Sequence, residues 1–121
     1  VAVSLRTDQP SLELARQFFM QVGKEISVVQ DRVGLVMPRI LCMLINEACF
    51  ALTENIASPR DIDTAMKLGT NYPRGPVEWA NLIGTGQVVS VLEALLRGTG
   101  EERYRLAPLL HQMSREPGPW T

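Results

Sequence analysis

The sequence predicts a mainly α protein in which a short β-α-β segment, residues 1–31, precedes a helical domain of about five helices, residues 32–121. Two observations predict this architecture. Apolar residues recur at helical spacing through most of the chain, in runs that glycine or proline separates. The opening residues differ, because two short β-branched runs flank one helical run there.

The opening segment is predicted to form a strand, a helix and a second strand. The first strand is Val1–Leu5, and it ends at a polar turn. The helical run contains Leu12, Ala15, Phe18, Phe19 and Val22. Gly23 and Lys24 stop the helix, and the second strand, Ile26–Val29, closes at Asp31. Two strands alone do not make a stable sheet, so the segment is expected either to dock on something outside the chain or to pack on the helices with open edges.

The run Gly34–Glu54 has apolar residues on almost every face of a predicted helix of about twenty residues. Arg39, Asn46 and Glu47 interrupt the run, so it is not predicted to span a membrane. Two interpretations stay open. The helix is the centre of the core, wrapped by the shorter helices, or part of it lies in a subunit interface.

Charge and cysteine usage exclude several classes of function. The formal net charge is −1, with twelve basic and thirteen acidic residues and no block of one sign, so neither nucleic acid nor a membrane surface is an expected partner. Arg6 and Asp8 interrupt the apolar start, so no signal peptide is predicted. Cys42 and Cys49 are seven residues apart on one helix, about 10 Å along its axis, which is too far for a disulfide. Buried thiols in a cytoplasmic protein are the expectation.

The segment Ser58–Trp79 is predicted to be a helix, a stiff loop and the start of another helix. Its first residue is the N-cap candidate, a proline takes the first helical position, and Asp61 favours the positive end of the helix. Gly69 is predicted to end this helix in a left-handed turn. Pro73 and Pro76 restrict the residues before them, which stiffens the loop.

Three further helices are predicted to complete the chain. The first is Pro76–Ile83, which the segment Gly84–Gly86 breaks. The second contains Val88–Leu96 and stops at the next pair of glycines. A charged bend follows, Pro108–Met113 forms the last helix, and residues 116–121 are predicted to be irregular.

Residues for catalysis are scarce. His111 is the only histidine, and it is expected at a surface or a helix end. No cysteine and histidine set has metal-ligand spacing. Asp61 and Asp63 are two apart on a helix and do not face each other, so capping and solvation are the favoured roles for both. No Gly-rich loop joins a strand to a helix, so neither a dinucleotide site nor a catalytic residue is predicted in this chain.

The polar residues inside the long apolar helix need partners, because burying Asn46 or Glu47 unpaired would cost about 1–3 kcal/mol each. Structural pairing is the favoured interpretation, for instance of Glu47 with Arg74 or with loop amides. The functional alternative is a polar strip that lines a cleft, with Arg39 and Asn46 on one face of the helix.

Tyr72, Arg74 and Trp79 lie in or beside the stiff loop. The two aromatic residues are expected to anchor the core rather than to stack on a ligand, and Arg74 is expected to be an exposed loop residue. The functional alternative places Arg74 against an anionic group of a ligand.

Several stretches resemble the C-terminal domain of the 3-hydroxyacyl-CoA dehydrogenase family. The most specific is an acidic helix containing the letters IDTAMKLG, followed by Tyr-Pro and Gly-Pro, between Arg60 and Glu78. The others resemble the family's linker into the helical domain, its Leu-Asn-Glu-Ala motif and its closing helices. They lie at Val28–Arg39, Leu44–Ala48, Glu102–Arg105 and Pro108–Leu110.

The resemblance implies that residues 1–31 are the end of a Rossmann domain and that the rest is the helical domain of the family. In the full enzyme, an oxidoreductase of β-oxidation, a 3-hydroxyacyl-CoA is oxidised to the 3-ketoacyl-CoA with NAD. The Rossmann domain carries NAD and a His–Glu catalytic pair, while the helical domain closes over the acyl-CoA and forms a homodimer. This chain is therefore expected to share acyl-CoA with a Rossmann domain and to hold neither NAD nor the catalytic pair.

The chain departs from the family pattern in two places. The family's substrate-site asparagine falls at Pro38, so its hydrogen bond is lost or is moved to a neighbour such as Asn46. The usual C-terminal tail motif is also absent. The leading hypothesis is a detached C-terminal domain, inactive alone, that dimerises and forms one wall of the acyl-CoA site. The residues proposed for that wall are Pro38, Arg39, Asn46, Tyr72 and Arg74. The rival is a non-catalytic interaction module that has lost the acyl-CoA role, and Pro38 favours it.

Overall fold

A computed structural model describes residues 1–116 and 118–121. These residues form six α-helices, a two-stranded parallel sheet and one 3-10 turn. In chain order the elements are β1 (Ala2–Val3), α1 (Gln9–Gln21), β2 (Val29–Gln30), α2 (Met37–Thr53), α3 (Pro59–Thr70), α4 (Pro76–Ile83), α5 (Thr85–Thr99), the 3-10 turn (Glu102–Tyr104) and α6 (Pro108–Arg115). The predicted mainly α architecture is confirmed, with five helices after the β-α-β segment.

The β-α-β segment has shorter strands than the sequence predicts. Ala2 pairs with Val29 and Val3 with Gln30, so the second strand begins at Val29 rather than at Ile26. No residue of α1 is buried, although the helix is rich in apolar side chains. The segment therefore keeps most of its apolar surface open.

The linker into the helical part changes the predicted start of the long helix. Gly34 and Leu35 have φ values of 79° and 53°, in the left-handed region that a right-handed helix excludes, so α2 begins at Met37 instead of Gly34. A Cβ atom on Gly34 would lie 2.8 Å from Cδ2 of Leu95 on α5, so a larger residue would have to displace that buried side chain as well as adopt a positive φ. The side chain of Val33 likewise lies close against α5, at Gly98. The linker is thus fitted tightly onto α5.

The core is built around one side of α2, which packs against α4, α5 and α6. The largest fully buried side chains come from α2, α5, the 3-10 turn and α6. They are Ile45, Val88, Leu92, Leu95, Tyr104, Leu110 and Met113. The first turn of α2 is different, because Met37 is 67% exposed and Ile40 52%. The other helices of this chain therefore do not surround α2 on all sides.

Three glycines do not act as the sequence predicts. Gly69 lies inside α3, which continues to Thr70 and ends at Asn71 in the left-handed conformation (φ 55°). Asparagine tolerates that conformation better than most residues, so the glycine is not needed as a cap. Gly86 and Gly98 lie inside α5 rather than beyond its ends.

Cys42 and Cys49 are buried, unpaired thiols on the core side of α2, as predicted. Burial raises the pKa of Cys49 to about 11. Within residues 1–116 and 118–121, no single helix has the length and hydropathy to cross a bilayer, and α4 and α5 reach those values only together, across a 99° bend.

Candidate functional site

Asp63 lies at the junction between α3 and α4 and joins the two helices. Its carboxylate accepts hydrogen bonds from the backbone N–H groups of Val77 (2.8 Å) and Glu78 (3.0 Å) in the first turn of α4. These donors have no partner within their own helix. Asp63 is only 7% exposed, so the prediction that it is solvated is wrong. Burial raises the pKa of Asp63, although its two N–H donors act in the opposite direction.

Gly75 and Glu78 complete this junction. The Glu78 carboxylate accepts from the backbone N–H of Gly75 (3.0 Å) and from Nζ of Lys67 on α3 (2.6 Å). A Cβ atom on Gly75 would overlap both the carboxylate and the Cα atom of Asp63. Glycine is therefore required for the close approach of the two helices. Together Asp63, Lys67, Gly75 and Glu78 form what is called here the helix latch.

The bonds of Glu78 in the helix latch lead us to expect that the stability of the folded state depends on pH. The hydrogen bonds from Lys67 and from the N–H of Gly75 hold the pKa of Glu78 below its ordinary value of 4.5. Because the folded pKa is the lower one, the stabilisation is complete above the ordinary value and is lost as the pH falls through the folded value. We expect Glu78→Gln to lower the thermal midpoint of unfolding near pH 7. At about pH 3 the midpoints of the variant and the wild type should differ less, because Glu78 is then largely protonated.

The control for this prediction is Glu93→Gln on α5, an exposed glutamate that forms no ion pair within the described residues. It should show no such pH-dependent difference. Equal losses for Glu78→Gln at both pH values would mean that the ionised Glu78 adds nothing to stability.

The helix latch holds the loop Asn71–Gly75 beside an apolar groove, called here the loop groove. Its walls are Met37, Ile40, Leu41 and Leu44 from α2, Tyr72 and Pro73 from the loop, and Trp79 from α4. Its volume is about 200 Å³. Trp79 packs against the core as predicted. Tyr72 is 39% exposed, so its prediction as a core anchor is wrong.

Arg74 lies beside Trp79, which is one of the residues that line the loop groove. Its guanidinium carbon is 5.2 Å from the centroid of the Trp79 ring, which is a cation–π distance. Arg74 is exposed, as predicted. In the part of the chain that the structure describes, it forms no ion pair.

Pro38 lines two further clefts, which meet at the start of α2. The larger, about 590 Å³, lies between the β-α-β segment and residues 35–38, and its lining is mostly apolar. The smaller, about 340 Å³, lies between α2, α4 and α5. Met37 borders both clefts and the loop groove. The structure thus places Pro38 and Tyr72 in neighbouring apolar cavities that meet at Met37, and Arg74 lines none of the three.

Arg39 and Asn46 face the 3-10 turn instead. The Arg39 guanidinium lies 5.2 Å from the centroid of the Tyr104 ring. The Asn46 amide donates to the carbonyl of Arg105 (2.9 Å) and accepts from the N–H of Ala107 (2.8 Å). The two residues share one face of α2, and structural pairing is confirmed for Asn46. Neither residue lines the loop groove or the two clefts beside Pro38.

Glu47 does not behave as its neighbour does. It is exposed, and it makes no ion pair with Arg74 or with another cation among the described residues. The prediction that Glu47 is paired inside the protein is wrong, because the residue lies on the side of α2 that faces solvent.

The turn between β1 and α1 does not fit a dinucleotide. It contains no glycine, whereas a pyrophosphate needs close backbone approach at a helix N-terminus. That N-terminus is also capped by the Asp8 carboxylate, which accepts from the N–H of Ser11 (2.9 Å). A second negative charge would be repelled there. No group of three metal-ligating side chains occurs among the described residues.

Comparisons with known proteins agree on one family. The family model described as 3-hydroxyacyl-CoA dehydrogenase, C-terminal domain, matches residues 34–118. A 3-hydroxybutyryl-CoA dehydrogenase of Bradyrhizobium diazoefficiens is 37% identical over 106 residues, which cover 88% of this chain and 36% of that protein. A 3-hydroxyadipyl-CoA dehydrogenase of Escherichia coli is 44% identical over 95 residues, 78% of this chain and 20% of that protein.

A solved structure gives the same result. The crystal structure of (S)-3-hydroxybutyryl-CoA dehydrogenase from Ralstonia eutropha matches with a TM-score of 0.88 and 37% identity, over 94% of this chain and 40% of that one. The chain therefore spans well under half the length of the relatives that it matches.

Proposed function

This chain belongs to the 3-hydroxyacyl-CoA dehydrogenase family as its C-terminal domain, and we propose that it forms one wall of an acyl-CoA site that a Rossmann domain completes. In the assembled enzyme a 3-hydroxyacyl-CoA is oxidised to the 3-ketoacyl-CoA, and NAD accepts the hydride. We assign this function to the cytoplasm, because two unpaired thiols suit a reducing compartment.

The observation that carries this proposal is the continuous apolar surface around Met37. The loop groove and the two clefts beside Pro38 border this one residue. Apolar concave surfaces with a few polar groups at their edges are typical of ligand sites. The larger cleft lies between the β-α-β segment and the start of α2, where a site shared by two domains belongs.

The residues of this surface bind and orient a substrate but do not move its protons. Pro38 has no side-chain donor where the family has an asparagine. The loop groove contains no carboxylate, histidine or thiol. Lys24 and Glu25 line the larger cleft, and Cys42, whose pKa is raised by burial, lines the smaller one. The hydride acceptor and the catalytic base are therefore assigned to the Rossmann domain, and this chain alone is expected to be inactive.

The test is a calorimetric titration of the purified chain with an acyl-CoA, together with an assay of 3-hydroxybutyryl-CoA and NAD. We expect binding of the acyl-CoA and no formation of NADH. Formation of NADH by the chain alone would contradict the assignment of the hydride acceptor and the catalytic base to the Rossmann domain. A lack of binding, even with a Rossmann domain of a relative added, would favour the rival function of a non-catalytic interaction module.

We also propose that the helical part forms a homodimer. The resemblance to the family supports this proposal, and large exposed apolar side chains outside the loop groove are available for such an interface. They are Ile56 (68% exposed), Leu68 (82%) and Leu82 (60%). Sedimentation of the same sample should give the mass of a dimer, and a monomer at micromolar concentration would contradict it.

A further inference from the structure

Residues 118–121, called here the strap, fold back onto α4, where one side chain holds them. The Asn81 carboxamide donates to the carbonyl oxygen of Trp120 (2.8 Å) and accepts from its backbone N–H (2.9 Å). The two residues are 39 positions apart in the chain. A pair of bonds in both directions is what two residues of neighbouring antiparallel strands exchange. Asn81 therefore holds the backbone of the strap, independently of the side chains that the strap carries.

The indole ring of Trp120 forms the apolar part of this attachment. The ring is partly buried and packs against the hydrophobic core. Its Nε1–H group is also buried, and it has no acceptor among residues 1–116 and 118–121. A buried donor without a partner opposes the docked state, because the same donor bonds to water once the strap is released. The ring and Asn81 thus favour docking of the strap, whereas the indole N–H favours its release.

The strap lies beside the helix latch. Three of the four latch residues line one cavity of about 470 Å³ together with Asn81, Trp120 and Thr121. Asp63, which accepts both bonds from the first turn of α4, is only 7% exposed. Hydrogen bonds are stronger where water is kept out. Opening of the strap would admit water to this cavity and weaken the bonds that join α3 to α4.

We propose that the strap opens and closes beside the helix latch, and that Asn81 is the residue that keeps it closed. Asn81 and Trp120 are then positioning residues. The closed strap keeps Asp63 bonded to the first turn of α4, and the latch in turn holds the loop Asn71–Gly75, which supplies two walls of the loop groove. The effect of the strap on acyl-CoA binding rests on the proposed function, whereas its effect on the latch does not.

The test is hydrogen exchange of the whole chain, followed by NMR at the backbone N–H groups of Val77 and Glu78. Asn81→Ala removes both bonds to the strap and leaves every latch residue in place. We expect these two amides to exchange about tenfold faster in the variant, since that factor corresponds to the net contribution of one or two hydrogen bonds. The amide of Leu92, which is in the core part of α5, should keep its rate, because a local opening does not unfold the core.

Two substitutions of Trp120 separate the ring from its N–H group. Trp120→Ala removes the ring and should speed exchange at Val77 and Glu78, as Asn81→Ala does. Trp120→Phe keeps an aromatic ring and removes the unpaired donor, so it should leave both rates close to those of the wild type.

The control is Gln112→Ala, which removes a side-chain amide from an exposed position of α6. It should leave the exchange rates at Val77 and Glu78 unchanged. Faster exchange in this control would show that loss of any exposed amide has the effect, and it would overturn the role of Asn81.

The outcomes separate the strap from a residue that only stabilises the fold. Equal acceleration at Val77, Glu78 and Leu92 in Asn81→Ala would mean that the whole fold is weakened, and it would overturn the inference. Unchanged exchange in both Asn81→Ala and Trp120→Ala would overturn it too. Exchange in Trp120→Phe as fast as in Trp120→Ala would contradict the part assigned to the ring.

Calorimetric titration of the same variants with an acyl-CoA tests the consequence for the loop groove. We expect Asn81→Ala to bind the acyl-CoA more weakly than the wild type does. An unchanged dissociation constant, together with faster exchange at the latch, would overturn the link from the strap to the groove. If the wild type bound no acyl-CoA, the proposed function would fail, and the exchange rates would still decide whether the strap holds the latch.

Discussion

Replacing Gly75 by alanine is expected to lower the free energy of unfolding by about 3 kcal/mol. The new Cβ atom would overlap the carboxylate and the Cα atom of Asp63. Relief of that overlap requires α3 and α4 to separate, which breaks the two hydrogen bonds from Val77 and Glu78 to Asp63. The backbone dihedral angles of Gly75 are those of an extended residue, so the expected loss is caused by crowding alone. Urea denaturation of both proteins measures it.

Gly69→Ala is the matched control for this substitution. A Cβ atom on Gly69 meets nothing within 4 Å, and the residue lies inside α3. The same chemical change should therefore stabilise the chain by about 0.5–1 kcal/mol, because alanine is the better helix former. If both substitutions lowered stability equally, the close approach at Gly75 would have no special role.

The second large effect is expected for Asn46→Ala, which should lower the free energy of unfolding by about 3 kcal/mol. Asn46 is 2% exposed, and its amide satisfies the carbonyl of Arg105 and the N–H of Ala107. Removal of the amide leaves these two backbone groups without their partner, and Ala107 is itself fully buried. Urea denaturation measures the loss.

Glu47→Ala is the control for this second prediction, because Glu47 is the next residue on the same helix and is exposed. It should change stability by less than about 0.5 kcal/mol. A similar small change for Asn46→Ala would show that water replaces the lost hydrogen bonds at the turn, and that the pairing does not hold α2 to residues 105–107.

The contacts that the sequence predicts well join residues that are close together in the chain. The cap of α3 is an example, since the backbone N–H of Asp61 donates to the Ser58 hydroxyl oxygen (3.2 Å) only three residues away. Asp63 is missed because its donors, Val77 and Glu78, are 14 and 15 residues further on. Helical spacing says nothing about such contacts. The signal that was available is the pair of prolines and the glycine that bring the chain back onto α3.

The candidate site shows the same difference between neighbouring residues, which the sequence places together, and distant ones, which it does not. Tyr72 and Arg74 lie in one loop, so the sequence places them together, but only the packing of α4 on α2 shows that the loop borders a groove. Arg39 follows Pro38 directly, yet it points to the 3-10 turn while Pro38 borders the clefts. Adjacent residues on a helix face different directions, and the sequence alone does not say which direction meets a ligand.

The tight fit of the linker on α5 also limits how the two parts of the chain can move. Hinge motions require a few residues whose φ and ψ angles are free to change. The backbone at Gly34 passes close to Leu95, and Val33 lies against Gly98, so a rotation at either residue would disturb these contacts with α5. We therefore expect any rotation of the β-α-β segment relative to the helical part to pivot before Val33, at Asp31 and Arg32, which are both exposed. The helical part, with the linker attached, would then behave as a fixed base on which the other part swings.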